Sequence, residues 1–201
     1  MDEYLKKITD YLGSNELLTV KEAESIGVKR HILATYAKHG DIERVARGIY
    51  SLVDDFNDEF ELLQKNNKKI VYSFATALYF HGLSDRAPNM IHITVPQGYN
   101  VNHIKKKYHN IVFHYVKKSL VEIGIIEIKS PQGGIINVYD IERCICDITK
   151  DRNTVDIQIY QRAIKEYFEL KHKNLRKLIK YSKLFGVENK IRSYIEILTW
   201  S

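Results

Sequence analysis

Apolar residues recur at helical spacing from the start of the chain. Tyr4, Leu5, Ile8, Tyr11 and Leu12 form one stripe, ended by Gly13. Leu17-Leu18 reads as a short extended segment. Thr19-Val20-Lys21-Glu22 then has the spacing of a capping box, which opens a short helix stopping at Gly27. A third helix is predicted over roughly 28–39, with Ile32, Leu33, Tyr36 and Ala37 inward and Gly40 as its stop. Two extended runs follow, 42–45 and 49–52, joined across Ala46-Arg47-Gly48 as a hairpin. Three helices and then a hairpin is the order of a winged helix-turn-helix.

Beyond residue 53 the pattern changes. The acidic segment DDFNDEFELLQKNN (54–67) reads as a capped linking helix. Ser73 opens a helix that runs to about His81 and stops at Gly82. Residues 91–95, 111–116, 123–129 and 135–139 read as strands, and 101–108 as a short basic helix. From Ile141 helices dominate, over about 141–149, 155–170, 173–185 and 188–198. The predicted fold class is α+β. A winged helix-turn-helix over 1–53 and a linking helix over 54–69 precede an α+β domain over 70–201, which has a small sheet and a helical tail.

The outer face of the third helix is unusual in its chemistry. Lys29, Arg30, His31, Thr35 and Lys38 stand outside the core stripe, and all but Lys29 fall, with Ala34, on one helical face. A helix fits the major groove of duplex DNA and reads base edges mainly through its N-terminal half. Arg30, His31 and Thr35 are placed to read or approach bases, with Arg30 the candidate for a bidentate guanine contact. Lys29 and Lys38 are placed for phosphates. The hairpin adds Arg44 and Arg47, with Gly48 suited to a turn at positive φ. Surface basicity in a protein-contact module is the rival reading.

Charge sharpens this picture in one place. The net charge is +6, yet residues 1–53 carry 8 Lys+Arg against 8 Asp+Glu, and 54–160 carry 13 of each. Residues 161–201 carry 10 against 4, so the tail supplies the whole excess. Within it Lys173, Arg176, Lys177, Lys180 and Lys183 project around one side of a helix whose other side is Leu175, Leu178, Ile179, Ser182 and Phe185. This second basic surface leaves three readings open: a solvated face, added contact with DNA, or contact with an acidic partner or RNA. A membrane partner is not expected, since no apolar run is long enough to span and the tail's apolar stripe is narrow. Two cysteines, Cys144 and Cys146, and no signal peptide point to the cytoplasm.

Several stretches together resemble a known family. Gly27-Val28-x-Arg30-x-x-Leu33…Gly40-x-Ile42-x-Arg44-Val45-x-Arg47-Gly48-Ile49-Tyr50 is similar to the N-terminal domain of AbiEi-type antitoxins. SFATALYFHGLSDRAPNMIHITVP (73–96) and GGIINVYDIERCICDI (133–148) resemble segments of that family's second domain. Cys144 departs from the Thr expected after Glu-Arg. The resemblance implies a winged helix that represses its own operon's promoter. It also implies a second domain that counteracts a nucleotidyltransferase-like toxin, AbiEii, without a stable complex, as part of abortive infection against phage. The protein would then be an antitoxin, not an enzyme.

Read without the family, residues 70–201 show no nucleotide-binding or hydrolase motif. Asp140, Glu142, Asp147, Asp151 and Asp156 could serve a metal-dependent nuclease. Their placement instead suggests a helix cap at Asp140, a surface pair of Glu142 with Arg143, and Asp151 and Asp156 flanking a helix start. The histidines match no metal-ligand spacing, and Cys144 and Cys146 read as buried thiols pointing apart. No cofactor and no metal are expected. The alternatives to the antitoxin reading are a ligand-responsive regulator without a toxin, and a nuclease.

Overall fold

The structure, a computed structural model, describes residues 2–85 and 87–199. They form two compact units. One runs to Lys68 and includes Ile128–Ile136; the other comprises Lys69–Glu127 and Asn137 onward.

The first unit begins with α1 (Glu3–Leu12), whose N-terminus Asp2 caps through the Tyr4 amide. Next come β1 (Leu18–Thr19), α2 (Val20–Ser25), α3 (Arg30–His39), β2 (Glu43–Ala46) and β3 (Ile49–Ser51). The strands form an antiparallel sheet in the order β1-β3-β2. The Leu17-Leu18 segment is therefore a sheet strand, with Leu18 paired to Tyr50 and Thr19 to Ile49. Three helices against this sheet enclose Ile8, Leu12, Leu18, Ala23, Val28, Leu33, Tyr36, Ile42 and Tyr50. Each large apolar side chain so buried contributes about 1.5–3 kcal/mol. This is the expected winged arrangement, inside an α+β fold.

The linking helix is shorter than the acidic run suggests. It is α4 (Glu59–Asn66), because Asp58 accepts the amides of Phe60 at 2.7 Å and Glu61 at 3.1 Å and so fixes the start. Asp58 also accepts from the Ser130 hydroxyl and, at 2.9 Å, from the Gly134 amide. A β-carbon on Gly134 would stand 2.7 Å from carboxylate oxygens of Asp58 and Glu61, so only glycine fits there.

The second unit contains β4 (Val71–Tyr72), α5 (Phe74–Phe80), β5 (Ile91–Pro96), α6 (Asn102–Lys107), β6 (Ile111–Val116) and α7 (Lys118–Val121). Strands β7 (Ile125–Lys129) and β8 (Ile135–Tyr139) complete a five-stranded sheet in the order β6-β5-β4-β8-β7. Strand β4 pairs antiparallel with β5 and parallel with β8, while β5 and β6 are parallel. β4 is two residues long and α7 a single turn, too short to leave a period in the sequence. The chain then forms α8 (Ile141–Lys150), α9 (Ile157–Glu169), α10 (Leu175–Phe185) and α11 (Glu188–Thr199).

Helix α8 overturns one expectation. Glu142 and Arg143 are not a surface pair: Arg143 is fully buried and Glu142 is nearly so. The Arg143 Nε donates to both Asp147 carboxylate oxygens at 2.9 Å, and its NH1 donates to the carbonyls of Leu120 and Ile123 at 3.0 Å. The guanidinium plane lies 4.1 Å from the Tyr139 ring centroid and 3.8 Å from that of Phe185. Stacking and four hydrogen bonds make this cation tolerable inside, which no local spacing announces.

Candidate nucleic-acid interface

The local chemistry of α3 sets its outward face. Gly27 at φ 83 turns the chain out of α2, and the Val28 amide returns to the Ala23 carbonyl at 2.8 Å. Lys29 is the N-cap with extended backbone and makes no side-chain capping bond, so its ammonium remains on the surface. Gly40 ends the helix in the left-handed conformation, φ 84. Leu33 and Tyr36 are buried, and Ile32 and Ala37 are half-buried, as the stripe predicts. Tyr36 donates its hydroxyl to the Asp2 carboxylate, tying α3 to the start of α1. That bond holds Asp2 below the usual carboxylate range and raises Tyr36 to about 12.

Arg30, His31, Ala34, Thr35 and Lys38 are all exposed on the opposite side. Among the described residues none of Lys29, Arg30, Lys38 and Arg47 makes an ion pair. Thr35 donates its hydroxyl to the His31 carbonyl at 3.0 Å, so a contact it makes as found is through its free lone pairs. On the wing, Ala46 pairs with Ile49 across Arg47-Gly48, with Gly48 at φ 74. Arg44 Nε rests on the Ala46 carbonyl at 3.3 Å, which holds that guanidinium along the hairpin; Arg47 is exposed at its tip. The seven residues of the predicted DNA surface thus lie on α3, its cap and its adjoining wing. Unpaired guanidinium and ammonium groups on such a helix favour anionic partners, and the positive end of the helix dipole at Arg30 adds to this.

The description "Transcriptional regulator, AbiEi antitoxin" matches residues 7–53, the segment that builds this surface. At its N-terminus the chain resembles AbiEi antitoxins. No curated protein matches the chain. Among solved structures, the crystal structure of the RV2827C protein from Mycobacterium tuberculosis is similar in fold. It has a TM-score of 0.53 and 11% sequence identity, covering 91% of this chain and 72% of that one. The AbiEi-like segment therefore carries the regulator resemblance, and the solved structure supports the fold alone.

The basic tail is divided by the structure. Lys177 turns inward, with its Nζ 2.8 Å from Asp140 and 3.6 Å from Glu142. Lys173 is half-buried and donates to the Leu170 carbonyl at 3.1 Å. Lys183 stands 3.9 Å from Glu188. Arg176 and Lys180, one helical turn apart on α10, are exposed and form no ion pair among the described residues.

The carboxylates that a nuclease would need are taken up locally. Asp140 caps α8 at the Arg143 amide and also accepts from Tyr181. Glu142 accepts from the Asn174 amide, and Asp147 faces Arg143. Burial lifts Asp147 to about 6 despite the guanidinium beside it. Both cysteines are buried. Cys144 Sγ lies 3.4 Å from the Tyr139 carbonyl and Cys146 Sγ lies 3.9 Å from that of Leu178, and burial raises both thiols. Two histidines that seem scattered in sequence meet on adjacent strands. His92 Nδ1 is 3.0 Å from His114 Nε2, and Phe74 stacks on His114 with ring centroids 3.6 Å apart.

Proposed function

We propose that the protein is an antitoxin that binds DNA at its own promoter and represses transcription, through α3 and the wing of an N-terminal DNA-binding domain. Arg30 and His31 face the bases, with Thr35 beside them. Lys29, Lys38, Arg44 and Arg47 hold the phosphates and fix the register of the helix in the groove. Repression follows from occupancy, since a protein seated on the promoter excludes polymerase and needs no chemical step. The residues beyond the linking helix form the antitoxin domain, which counteracts a nucleotidyltransferase-like toxin encoded beside it. Arg176 and Lys180, on the second unit, form a separate basic patch that adds sequence-independent affinity.

One observation carries this reading: the segment similar to AbiEi regulators presents unpaired, exposed cations on the outer face of its third helix. A genetic test separates the two activities. A reporter driven by the DNA upstream of the gene should be repressed by the wild-type protein and released by Arg30→Ala. The same variant should still restore growth when the neighbouring toxin is expressed. A reporter indifferent to the protein would overturn the repressor half, and failure of the wild type to restore growth would overturn the antitoxin half.

A further inference from the structure

Strand β6 is the last strand of the five-stranded sheet, and one of its edges has no strand beside it. Its ladder to β5 uses the carbonyls of Asn110 and Val116, which accept from Ile91 at 2.7 Å and Gln97 at 2.8 Å. With the two-residue period of a strand, Ile111, Phe113 and Tyr115 turn their amides and carbonyls the other way. Among the described residues nothing pairs with those groups. The strand itself, IVFHYV, has no proline, no bulge and no charge pointing outward from its middle, the usual protections of an exposed edge.

Beside that edge runs a cleft of about 510 Å³, lined along its length by residues 112–117. Its facing wall comes from Asp147 and Lys150 of α8, the next residue Asp151, and Leu184 and Phe185 of α10, with the Asp147 carboxylate already paired to Arg143. Phe74 also lines it, and Phe74 is a buried residue held at φ 48. A bulky side chain in the left-handed region is strained, and its ring is fixed there by the stack on His114. An open strand edge, a groove beside it and an aromatic floor are the parts of a site that accepts an extended peptide as an added strand.

The surrounding charge selects the occupant. Between Asp85 and Glu122 the sequence has no acidic residue. Lys105, Lys106 and Lys107 precede β6, Lys117 and Lys118 follow it, and both groups are exposed. A second copy of the chain, paired antiparallel about Phe113, would set Lys117 opposite His109, Lys118 opposite Tyr108 and Lys107 opposite Ser119. The lysines of both copies would then gather along one ladder with no acidic residue facing them, which disfavours pairing. We infer that the β6 edge is a docking site for an extended segment of another protein. That segment has apolar side chains at alternate positions for the floor and acidic residues at both ends for the lysines.

Selection of displayed random linear peptides on the full chain tests this. Two edge variants separate main-chain pairing from side-chain contact. Tyr115→Pro removes one outward amide without touching the ladder to β5, and Tyr115→Thr keeps that amide. The expected ligands alternate apolar residues between acidic ends and bind Tyr115→Thr more tightly than Tyr115→Pro, since both variants lack the ring that lines the cleft and only the first keeps the amide. Tyr115→Pro, and separately the Lys117→Glu/Lys118→Glu pair, should weaken them by roughly tenfold or more. The lysine pair decides the matter if circular dichroism shows Tyr115→Pro to be unfolded. No enriched peptide, enriched basic peptides, or equal binding to the variants would overturn the inference. So would sedimentation showing wild-type dimers that the lysine pair tightens.

Discussion

Arg143 and Asp147 lie one helical turn apart on α8, wholly inside the second unit, with Nε 2.9 Å from each carboxylate oxygen. Removing one partner strands the other charge in the interior, which costs about 3–5 kcal/mol. Asp147→Ala should therefore lower the urea midpoint steeply. Arg143→Met with Asp147→Leu, which removes both charges, should recover most of the loss. If Asp147→Ala unfolds at the wild-type midpoint, the pair is not a packing element.

The N-terminal unit is held at a different point. Glu22's carboxylate accepts the Thr19 amide at 2.7 Å, and Thr19's hydroxyl accepts the Glu22 amide at 3.3 Å. Thr19→Ala should destabilise that unit by about 1 kcal/mol, measured by denaturant unfolding. Thr19 is buried at the start of α2 and contributes nothing to the exposed face of α3, so the variant's DNA affinity should match wild type where both are fully folded.

Gly134 should tolerate no side chain. Gly134→Ala places a methyl 2.7 Å from the carboxylates of Asp58 and Glu61, so that Asp58 must move off the Gly134 amide and the Ser130 hydroxyl it accepts. The expected result is a loss of about 2 kcal/mol or more, comparable to losing buried hydrogen bonds to a charged group. Asp58→Ala should be similarly destabilised. An unchanged thermal midpoint in both would contradict the role given to this contact.

The His92–His114 pair predicts an acid limb to stability. Burial pushes His92 down to about 4 and His114 to about 3, whereas in the unfolded chain both titrate near the ordinary imidazole value of about 6.5. Below 6.5 the unfolded chain binds the extra protons, so stability is full above that pH and declines as pH falls toward 4. The slope is at most roughly 1.4 kcal/mol per pH unit for each imidazole. Urea midpoints from pH 7 to pH 4.5 should fall less for His92→Phe/His114→Phe than for wild type. Parallel curves would show that the pair does not set this dependence.

The elements of residues 1–53 are legible in the sequence because their signals are local, whereas the segment 128–136 joins the same unit through Ser130 and Gly134 at Asp58 with no local sign of it. A capping box, glycine stops and a 3.6-residue stripe each occupy fewer than a dozen residues, and the exposed cations of α3 are simply what the stripe leaves over. The second unit depends on distant partners. His92 and His114 pair across strands, Arg143 is made tolerable by Tyr139 and Phe185, and Lys177 is drawn inward by Asp140 and Glu142. None of these has a periodic trace. The acid-free run between Asp85 and Glu122 is local, and the acids on either side of it bring residues 54–160 to balance as a block.

The central claim is that α3 reads DNA, and fluorescence anisotropy tests it most directly. Purified wild type and Arg30→Ala would be titrated onto DNA from just upstream of the gene and onto scrambled DNA of equal length, over several salt concentrations. Wild type should prefer the upstream DNA, and Arg30→Ala should lose about 1–3 kcal/mol of that preference. The slope of log affinity against log salt should fall by about 0.9 for each of Lys29→Ala, Lys38→Ala and Arg47→Ala. An equal effect from Arg176→Ala and Lys180→Ala would bring α10 into the footprint. Weak binding that is the same for both DNAs, and unaltered by Arg30→Ala, would contradict the account.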